Sequence, residues 1–455
     1  MNDNGVVFNN NAKQIAFNDE HYERMMLRYD AFKDIIENKI TYYSNLELEK
    51  QRASYIRLKA FKKLDKHLVD FDTNFTEKGG KILWANDIDD ARQMIYDILS
   101  QRKIKRILKT KSSTLEEIGL KSFLEMKKIR VIDTNIGDFI CSLQNERPYN
   151  TKSSSAHKTV EDIASLYTEQ FGIKENCNVR QLTTCTKKLL NDSILKTDAL
   201  ITGANFLVSS TGTVVLTEDE GNILKSTSFS PLHIIVAGID KMITSLDELG
   251  VLLPISSLYE PNKIVSSLYN FINKSSNDDE ESNTFLIILN NGRTDILSKE
   301  KQRVILSCIQ CGACSEVCPI YNIIGGHSYE GNIPGPVGSI ISPIKNKELY
   351  SHYTSLCALC GRCMEVCPVK IPFKELFIEN RKDIVKYDKS LVIEKYIFSY
   401  LMKRLSNRKS LDKYKSSFKN FEFKNIFKKK WGNKRELPKF ADESFSEYWK
   451  KNINY

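Results

Sequence analysis

Long apolar runs are missing from this chain: no stretch of its 455 residues approaches the ~18 needed to cross a bilayer as a helix. Residues 1–11 are polar and lack the basic and apolar regions of a secretory signal, so a cytoplasmic chain is expected. Glycine and proline are absent from Val6 to Glu77 and again from Phe373 to Leu405, which removes the usual turn formers and predicts helices there. No Gly-x-Gly-x2-Gly opens a helix after a first strand, so the dinucleotide-binding fingerprint is lacking. Nothing marks the chain for an oxidising compartment, and a chain of this length needs no covalent staples, so its cysteines are not read as disulfides.

Eight of the 11 cysteines fall in two runs of one spacing: Cys308-x2-Cys311-x2-Cys314-x3-Cys318-Pro319 and Cys357-x2-Cys360-x2-Cys363-x3-Cys367-Pro368. A cubane iron–sulfur cluster needs a thiolate on each of four irons. Three cysteines spaced by two residues wrap three corners, and the fourth ligand comes from elsewhere. In two-cluster proteins the fourth cysteine of each run crosses over. The spacing therefore assigns Cys308, Cys311, Cys314 and Cys367 to one [4Fe-4S] cluster and Cys357, Cys360, Cys363 and Cys318 to a second. Zinc prefers two separated Cys-x2-Cys pairs and fits this repeat poorly.

The net charge of +10 resides almost wholly in one segment, for Lys403 to Arg435 carries 13 Lys or Arg against Asp412 and Glu422. With Tyr414, Phe418, Phe421, Phe423, Phe427 and Trp431 interleaved, this basic tail suits an acidic partner, a membrane surface at which the chain is peripheral, or nucleic acid. Equally, it suits a solubilising arm that packs its aromatics on its own protein.

Residues 1–78 read as an N-terminal helical region, in which His21 and His67 lack ligand-spaced neighbours. From Lys81 strands alternate with helices, including a helix Thr114 to Lys127 opened by a capping box at Thr114-x2-Glu117, and this rhythm predicts an α/β open parallel sheet over 79–296. Ile234 to Ile239 and Phe285 to Asn290 read as buried strands, and Ser298 to Leu306 as a helix leading to Cys308. Lys109-Thr-Lys111-Ser-Ser113 occupies a strand end before a helix, where Lys111 and backbone amides suit an anion; an ordinary capped turn suits it too. Around Thr211-Gly212-Thr213 and Glu218 small residues and hydroxyls mark tight turns. Ser275 to Glu281 reads as an acidic surface excursion.

These residues resemble the lactate utilization protein B family, the iron–sulfur component of a three-part L-lactate oxidation system. The stretches that carry the likeness include Asp133-Thr-Asn-Ile-Gly-Asp138, Thr202-Gly-Ala-Asn-Phe206, Glu218-Asp-Glu-Gly-Asn222, Asn290-Asn-Gly-Arg293, Ile324-Gly-Gly-His327 and Pro334-Gly-Pro336. The resemblance implies a lactate-utilisation (LUD) domain, similar in fold to ribose-phosphate isomerase and CoA-transferase proteins. It further implies an α-helical two-cluster ferredoxin over 297–380, after which 381–455 reads as a helical and basic extension whose lysine-rich tail is particular to this sequence. Many members have a shorter second cysteine run, which sets Cys357 apart from the other seven ligands.

By that resemblance the chain is an electron-transfer component, not active alone. Its implied partners are the lactate-utilisation proteins A and C and an electron acceptor the sequence does not identify. Lactate gives up two electrons while a cluster carries one, so the chemistry needs a further centre. Lys111 and Glu218 form the candidate pair for the substrate's carboxylate and hydroxyl, the alternative being that one of those two partner proteins binds lactate. Another 2-hydroxy acid, a quinone-linked reductase, and a regulatory nucleic-acid-binding iron–sulfur protein are the competing readings, with nucleic acid the least favoured partner.

Overall fold

The computed structural model describes residues 3–150, 152–174, 177–259, 268–273, 283–329, 333–387, 391–407, 416–431 and 436–452. The acidic stretch 275–281 and segments 408–415 and 432–435 of the basic tail lie outside the described residues. The chain divides into two compact units, Met1–Arg381 and Lys382–Tyr455.

The described residues form ten strands: β1 (Lys81–Ala85), β2 (Arg106–Lys109), β3 (Arg130–Asp133), β4 (Ala199–Thr202), β5 (Phe206–Val208), β6 (Thr213–Glu218), β7 (His233–Gly238), β8 (Met242–Ile243), β9 (Leu268–Ile272) and β10 (Thr284–Leu289). Six form a parallel sheet in the order β1-β10-β7-β4-β2-β3, and four form a second, mixed sheet, β8-β5-β6-β9. The open parallel α/β sheet expected from the alternating rhythm is therefore present. A parallel sheet covered on both faces needs apolar side chains on both, and β7 and β10 supply them alternately. Ile234, Val236, Ile287 and Leu289 face one core, while Ile235, Ala237, Leu286 and Ile288 face the other.

The first eight helices are α1 (Asp3–Ala16), α2 (Asp19–Ile40), α3 (Leu46–Lys62), α4 (Leu64–Thr76), α5 (Ile88–Gln101), α6 (Ser113–Glu117), α7 (Leu120–Met126) and α8 (Ile136–Leu143), of which α4 to α7 cover these faces. Ala91, Ile95 and Leu99 of α5, with Leu115 and Leu124, fill the first core; Leu64, Phe71 and Phe75 of α4 fill the second. The turn Thr211-Gly212-Thr213 serves α4, because a side chain at Gly212, whose φ is +60°, would meet the Phe75 backbone nitrogen at 2.4 Å.

Two local expectations change. The stretch 114–127 is not one helix: Ser112, not Thr114, accepts the capping bond from Leu115 N, and Gly119 at φ +55° separates α6 from α7. Glu117 is drawn instead into a buried cluster with Arg293 at 2.7 Å and Lys345 at 2.6 Å. The chain also reaches Cys308 through a helix at Arg293–Ser298 and a 3-10 turn at Arg303–Ser307, not a single helix from Ser298.

The cysteine-bearing region shares one core with the second sheet. Phe206, Val215 and Ile243 pack in a cluster that also holds Ala53, Ile56, Cys314, Cys363, Cys367, Phe373 and Phe377. Arg57 of α3, only 1% exposed, pins this junction. Its guanidinium donates to the backbone oxygens of Met242 at 3.0 Å, Ser307 at 3.2 Å, Leu306 at 3.3 Å and Asp240. The second unit holds helices Leu391–Leu405, Ser416–Trp431 and Phe445–Asn452; Phe423 of the middle one meets the ring of Phe440 in the non-helical stretch before the last, while Phe418 and Phe421 stay exposed. Among the described residues no helix is long and apolar enough to cross a membrane.

Candidate functional site

The two cysteine runs fold alike. In the first, Gln310 (φ +58°) and Gly312 (φ +78°) take left-handed conformations; in the second, Leu359 (φ +56°) and Gly361 (φ +88°) do so at the same two positions. Left-handed backbone at a non-glycine residue costs roughly 1 kcal/mol and persists only where something holds it. Here the amides of Gln310 and Leu359 each donate to a cysteine sulfur, Cys308 Sγ and Cys357 Sγ, at 3.3 Å. Short helices then carry the third cysteines, Ala313–Glu316 for Cys314 and Arg362–Val366 for Cys363, and these two helices pack together. Pro319 at the first turn of helix Pro319–Ile324 needs no amide partner and turns the chain away after Cys318.

This arrangement gathers the sulfurs in fours. Cys308, Cys311, Cys314 and Cys367 line one small cavity walled by Ile309, Val337, Ile371 and Phe373. Cys318, Cys357, Cys360 and Cys363 line a second, walled by Ile320, Tyr329, Leu356 and Phe377. Each cavity thus takes three cysteines from one run and one from the other, and Cys357 stands with its set. Among the described residues no three metal-binding groups close in on a single-ion point; the thiols ring a space instead, as the corners of a cubane require.

Burial pushes the Cys311 and Cys363 thiols up to about 12 and those of Cys318 and Cys367 up to about 11, with backbone amides at each site pulling the other way. Such thiols keep their protons until a metal displaces them, so cluster loading releases protons. All-sulfur donors, apolar walls and amide-to-sulfur hydrogen bonds fit a [4Fe-4S] group. The two sites differ in exposure: Cys314 and Cys367 of the first are buried, whereas Cys360 of the second is exposed.

Against the first site lies a cavity of about 540 Å3. Its floor is the carboxyl ends of β2, β3 and β4 with the residues that follow them (Thr110–Ser113, Thr134, Asn135 and Gly203–Asn205), where ligands of open α/β sheets bind. One wall comes from Ala31, Phe32 and Ile35 of α2; another is Ile309, Gln310 and Cys311 of the first cysteine run. Gly203 is needed for this closeness, since a Cβ there would meet Ser112 Oγ at 2.1 Å.

Both residues singled out from sequence, Lys111 and Glu218, line this cavity; Thr211 to Thr213 do not. Burial and the neighbouring Lys152 hold the Lys111 ammonium below its usual range, while Asp138 and Glu220 act in the opposite direction. Glu218 spends both oxygens on its surroundings, accepting from Ile223 N at 2.6 Å, Leu224 N at 2.7 Å and the Asn270 amide at 2.8 Å.

Sequence reasoning missed four lining residues: Lys152, Glu220, Lys241 and Gln310. Glu220 accepts from Asn135 Nδ2 at 2.7 Å, Asn222 Nδ2 at 2.9 Å and Ile136 N at 3.1 Å, and burial pushes its carboxyl up to about 7. Lys241 Nζ donates to Gln310 Oε1 at 2.8 Å, and Ser113 Oγ donates to the same oxygen. The one local signal was Gln310's place inside the cysteine run.

Comparison with known proteins agrees with this construction. A family model described as LUD domain matches residues 68–289, and one described as 4Fe-4S dicluster domain matches residues 304–371. Lactate utilization protein B of a Geobacillus species is 32% identical over 343 residues, covering 73% of this chain and 70% of that protein. Its namesakes from Oceanobacillus iheyensis and Bacillus pumilus are each 29% identical, over 424 and 437 residues, covering 89% and 90% of this chain and 88% and 89% of theirs. The cofactors are two [4Fe-4S] clusters, and the chain belongs to the lactate utilization protein B family.

Proposed function

We propose that this chain is the iron–sulfur electron-transfer component of a complex that oxidises L-lactate to pyruvate. Its relatives carry lactate utilization in their names. The observation that supports the reading most is a shared wall: Gln310 and Cys311 border both the first thiol cavity and the 540 Å3 cavity. In this reading Cys308, Cys311, Cys314 and Cys367 hold the first cluster, and Cys357, Cys360, Cys363 and Cys318 the second. Each cluster, when bound, supplies one-electron transfer.

The cavity is where the chain meets the acid. Lys111 offers a carboxylate its cation, with the hydroxyls of Ser112 and Ser113 beside it on the cavity floor. Glu220, titrating about 7, can hold or release a proton at neutral pH, whereas Glu218 must first let go of an amide. Lactate gives up two electrons while each cluster carries one, so the two-electron step is assigned to a partner, for which the lactate-utilisation proteins A and C are the candidates.

The test is lactate-driven cluster reduction, followed by electron paramagnetic resonance under anaerobic conditions. Reduction is expected when the chain is purified with its native partners, with negligible lactate oxidation by the chain alone. Robust turnover by the single chain with an artificial acceptor, or clusters that stay oxidised in the full complex, would defeat the reading.

A further inference from the structure

Gln310 belongs to two sites at once. Its backbone amide donates to Cys308 Sγ at 3.3 Å, and its side-chain oxygen accepts from Lys241 Nζ at 2.8 Å and from Ser113 Oγ. Together with Ser113, Ile309 and Cys311 it lines both the thiol cavity and the larger cavity. It also sits at φ +58°, a conformation its side-chain and amide bonds must hold in place.

The charges of the larger cavity converge on the same place. Lys241 is buried, and its ammonium acts on Cys308; Lys152 acts on both Cys311 and Lys111. Carboxylates line the cavity as well: Glu218 and Glu220 cap backbone amides, and Glu316 pairs with Arg28 at 2.6 Å. Among the described residues Lys111 finds no hydrogen bond or ion pair, and this makes it the cation open to an incoming anion.

We propose that Gln310 is a positioning residue that couples occupancy of the cavity by a 2-hydroxy- or 2-oxo-carboxylate to the reduction potential of the first cluster, lowering it. The inference rests on the reading of this cavity as the chain's contact with the acid. An anion seated by Lys111 and Lys152 offsets the positive charge that favours the reduced cluster. Competing for Lys241 and Ser113, it loosens the side chain that holds the Gln310 amide on Cys308. Hydrogen bonds to cluster sulfurs and nearby charge both set such potentials, and losing either lowers them. Lowering the potential of the cluster that Cys308, Cys311, Cys314 and Cys367 would hold would favour onward transfer to the one at the second cysteine set.

The experiment is a redox titration of the anaerobically prepared, full-length holoprotein, poised chemically and read by electron paramagnetic resonance, with and without L-lactate or pyruvate. The first cluster is identified as the signal that Cys308→Ser removes. Ligand should make its reduced form roughly tenfold less favoured, about 59 mV for one electron, and leave the second cluster unmoved. Gln310→Gly keeps the backbone amide and suits the left-handed backbone; it should still bind ligand by calorimetry yet keep only the part of the shift that the anion's charge produces directly. Should that variant fail to load iron, Gln310→Asn, whose amide falls short of Lys241, takes its place. Lys111→Met should lose binding and shift together, each variant's shift being read against its own ligand-free potential, which here falls below the parent's because a cation beside the first site is gone. A shift that persists undiminished in the Gln310 variants, that appears in both clusters equally, or that is absent because neither acid binds overturns the proposal. Because electrons come from a chemical reductant, such a failure leaves lactate-driven reduction of the complex to be judged separately.

Discussion

Arg57→Met tests whether the helical N-terminus is part of the electron-transfer machinery. The guanidinium is fully enclosed between the Phe61 and Phe206 rings and donates to four backbone oxygens, two of which, on Leu306 and Ser307, immediately precede Cys308. Hydrogen bonds from a charged donor contribute about 1.5–3 kcal/mol each, and a buried acceptor left dry costs about 1–3 kcal/mol. Removing the cation also removes the several kcal/mol spent on desolvating it, so the terms partly cancel. Because methionine cannot bond any of the four oxygens, the lost contacts win, and a net destabilisation of about 3 kcal/mol is expected. With a urea dependence of about 3 kcal/mol/M, the midpoint of anaerobic unfolding falls by about 1 M. The loosened approach to Cys308 should cost the first cluster before the second, taking iron from about eight per chain towards about four. Arg57→Lys keeps the charge without the fork and should fall between. A midpoint within ~0.3 M of the parent, with both clusters retained, would refute the clamp.

Cys318→Ser should damage the cluster held by the second run, because the sulfur of Cys318 lines the cavity of Cys357, Cys360 and Cys363; loss of the first cluster alone, seen by Mössbauer or resonance spectra, would contradict the crossed arrangement. The second cluster, beside exposed Cys360, should be oxidised faster by a small reagent than the first, and faster by anionic ferricyanide than by a cationic oxidant because Lys374 and Arg381 flank it; stopped-flow traces with equal rates for both clusters would count against this. His233 is buried against Thr202 Oγ1 at 2.8 Å, and burial drops its ring from 6.5 to about 3. Its folded pKa is depressed, so as pH falls below 6.5 the unfolded chain takes up a proton that the native chain refuses, and stability is lost progressively down to about 3. Between pH 7 and 5 the His233→Asn variant should therefore lose about 2 kcal/mol less stability than the parent, and equal losses would show that His233 is not the titrating group.

What the sequence revealed depended on how local the physics is. Cluster ligation demands thiolates at fixed short spacing, so the two runs and their crossing were readable from residue positions. Strands buried on both faces had to be continuous apolar runs, and Ile234 to Ile239 and Phe285 to Leu289 stand out for that reason. Glu117 shows the opposite case. Its spacing from Thr114 satisfied a local capping rule, yet Arg293 and Lys345, 176 and 228 residues away, decide where its carboxylate goes. The same applies to Lys241, 69 residues from Gln310, and to Glu220, 85 from Asn135, whose pairings exist only once the sheet ends meet. The lack of glycine and proline predicted the helicity of α3 and α4 but not their burial, because an absence of breakers says nothing about a partner face.

If the chain carries electrons as proposed, the order of its parts gives the path a direction. The cavity touches the first cysteine set through Cys311, that set is the more buried of the two, and the exposed sulfur, Cys360, belongs to the second. Electron transfer falls off with distance, so in the proposed function a donor in the cavity would reach the first cluster and a partner at the surface the second. Crossing the fourth ligands makes this order hard to undo, because each run must be folded to complete the other's site. Arg57 then ties the segment before Cys308 to the carbonyl of Met242 at the start of β8, so one side chain bridges the second sheet and the first cysteine run. The proposed function needs the acid to stay beside its electron outlet, and the shared core of Phe206, Ile243, Cys314 and Phe373 packs the second sheet against the cysteine-bearing region.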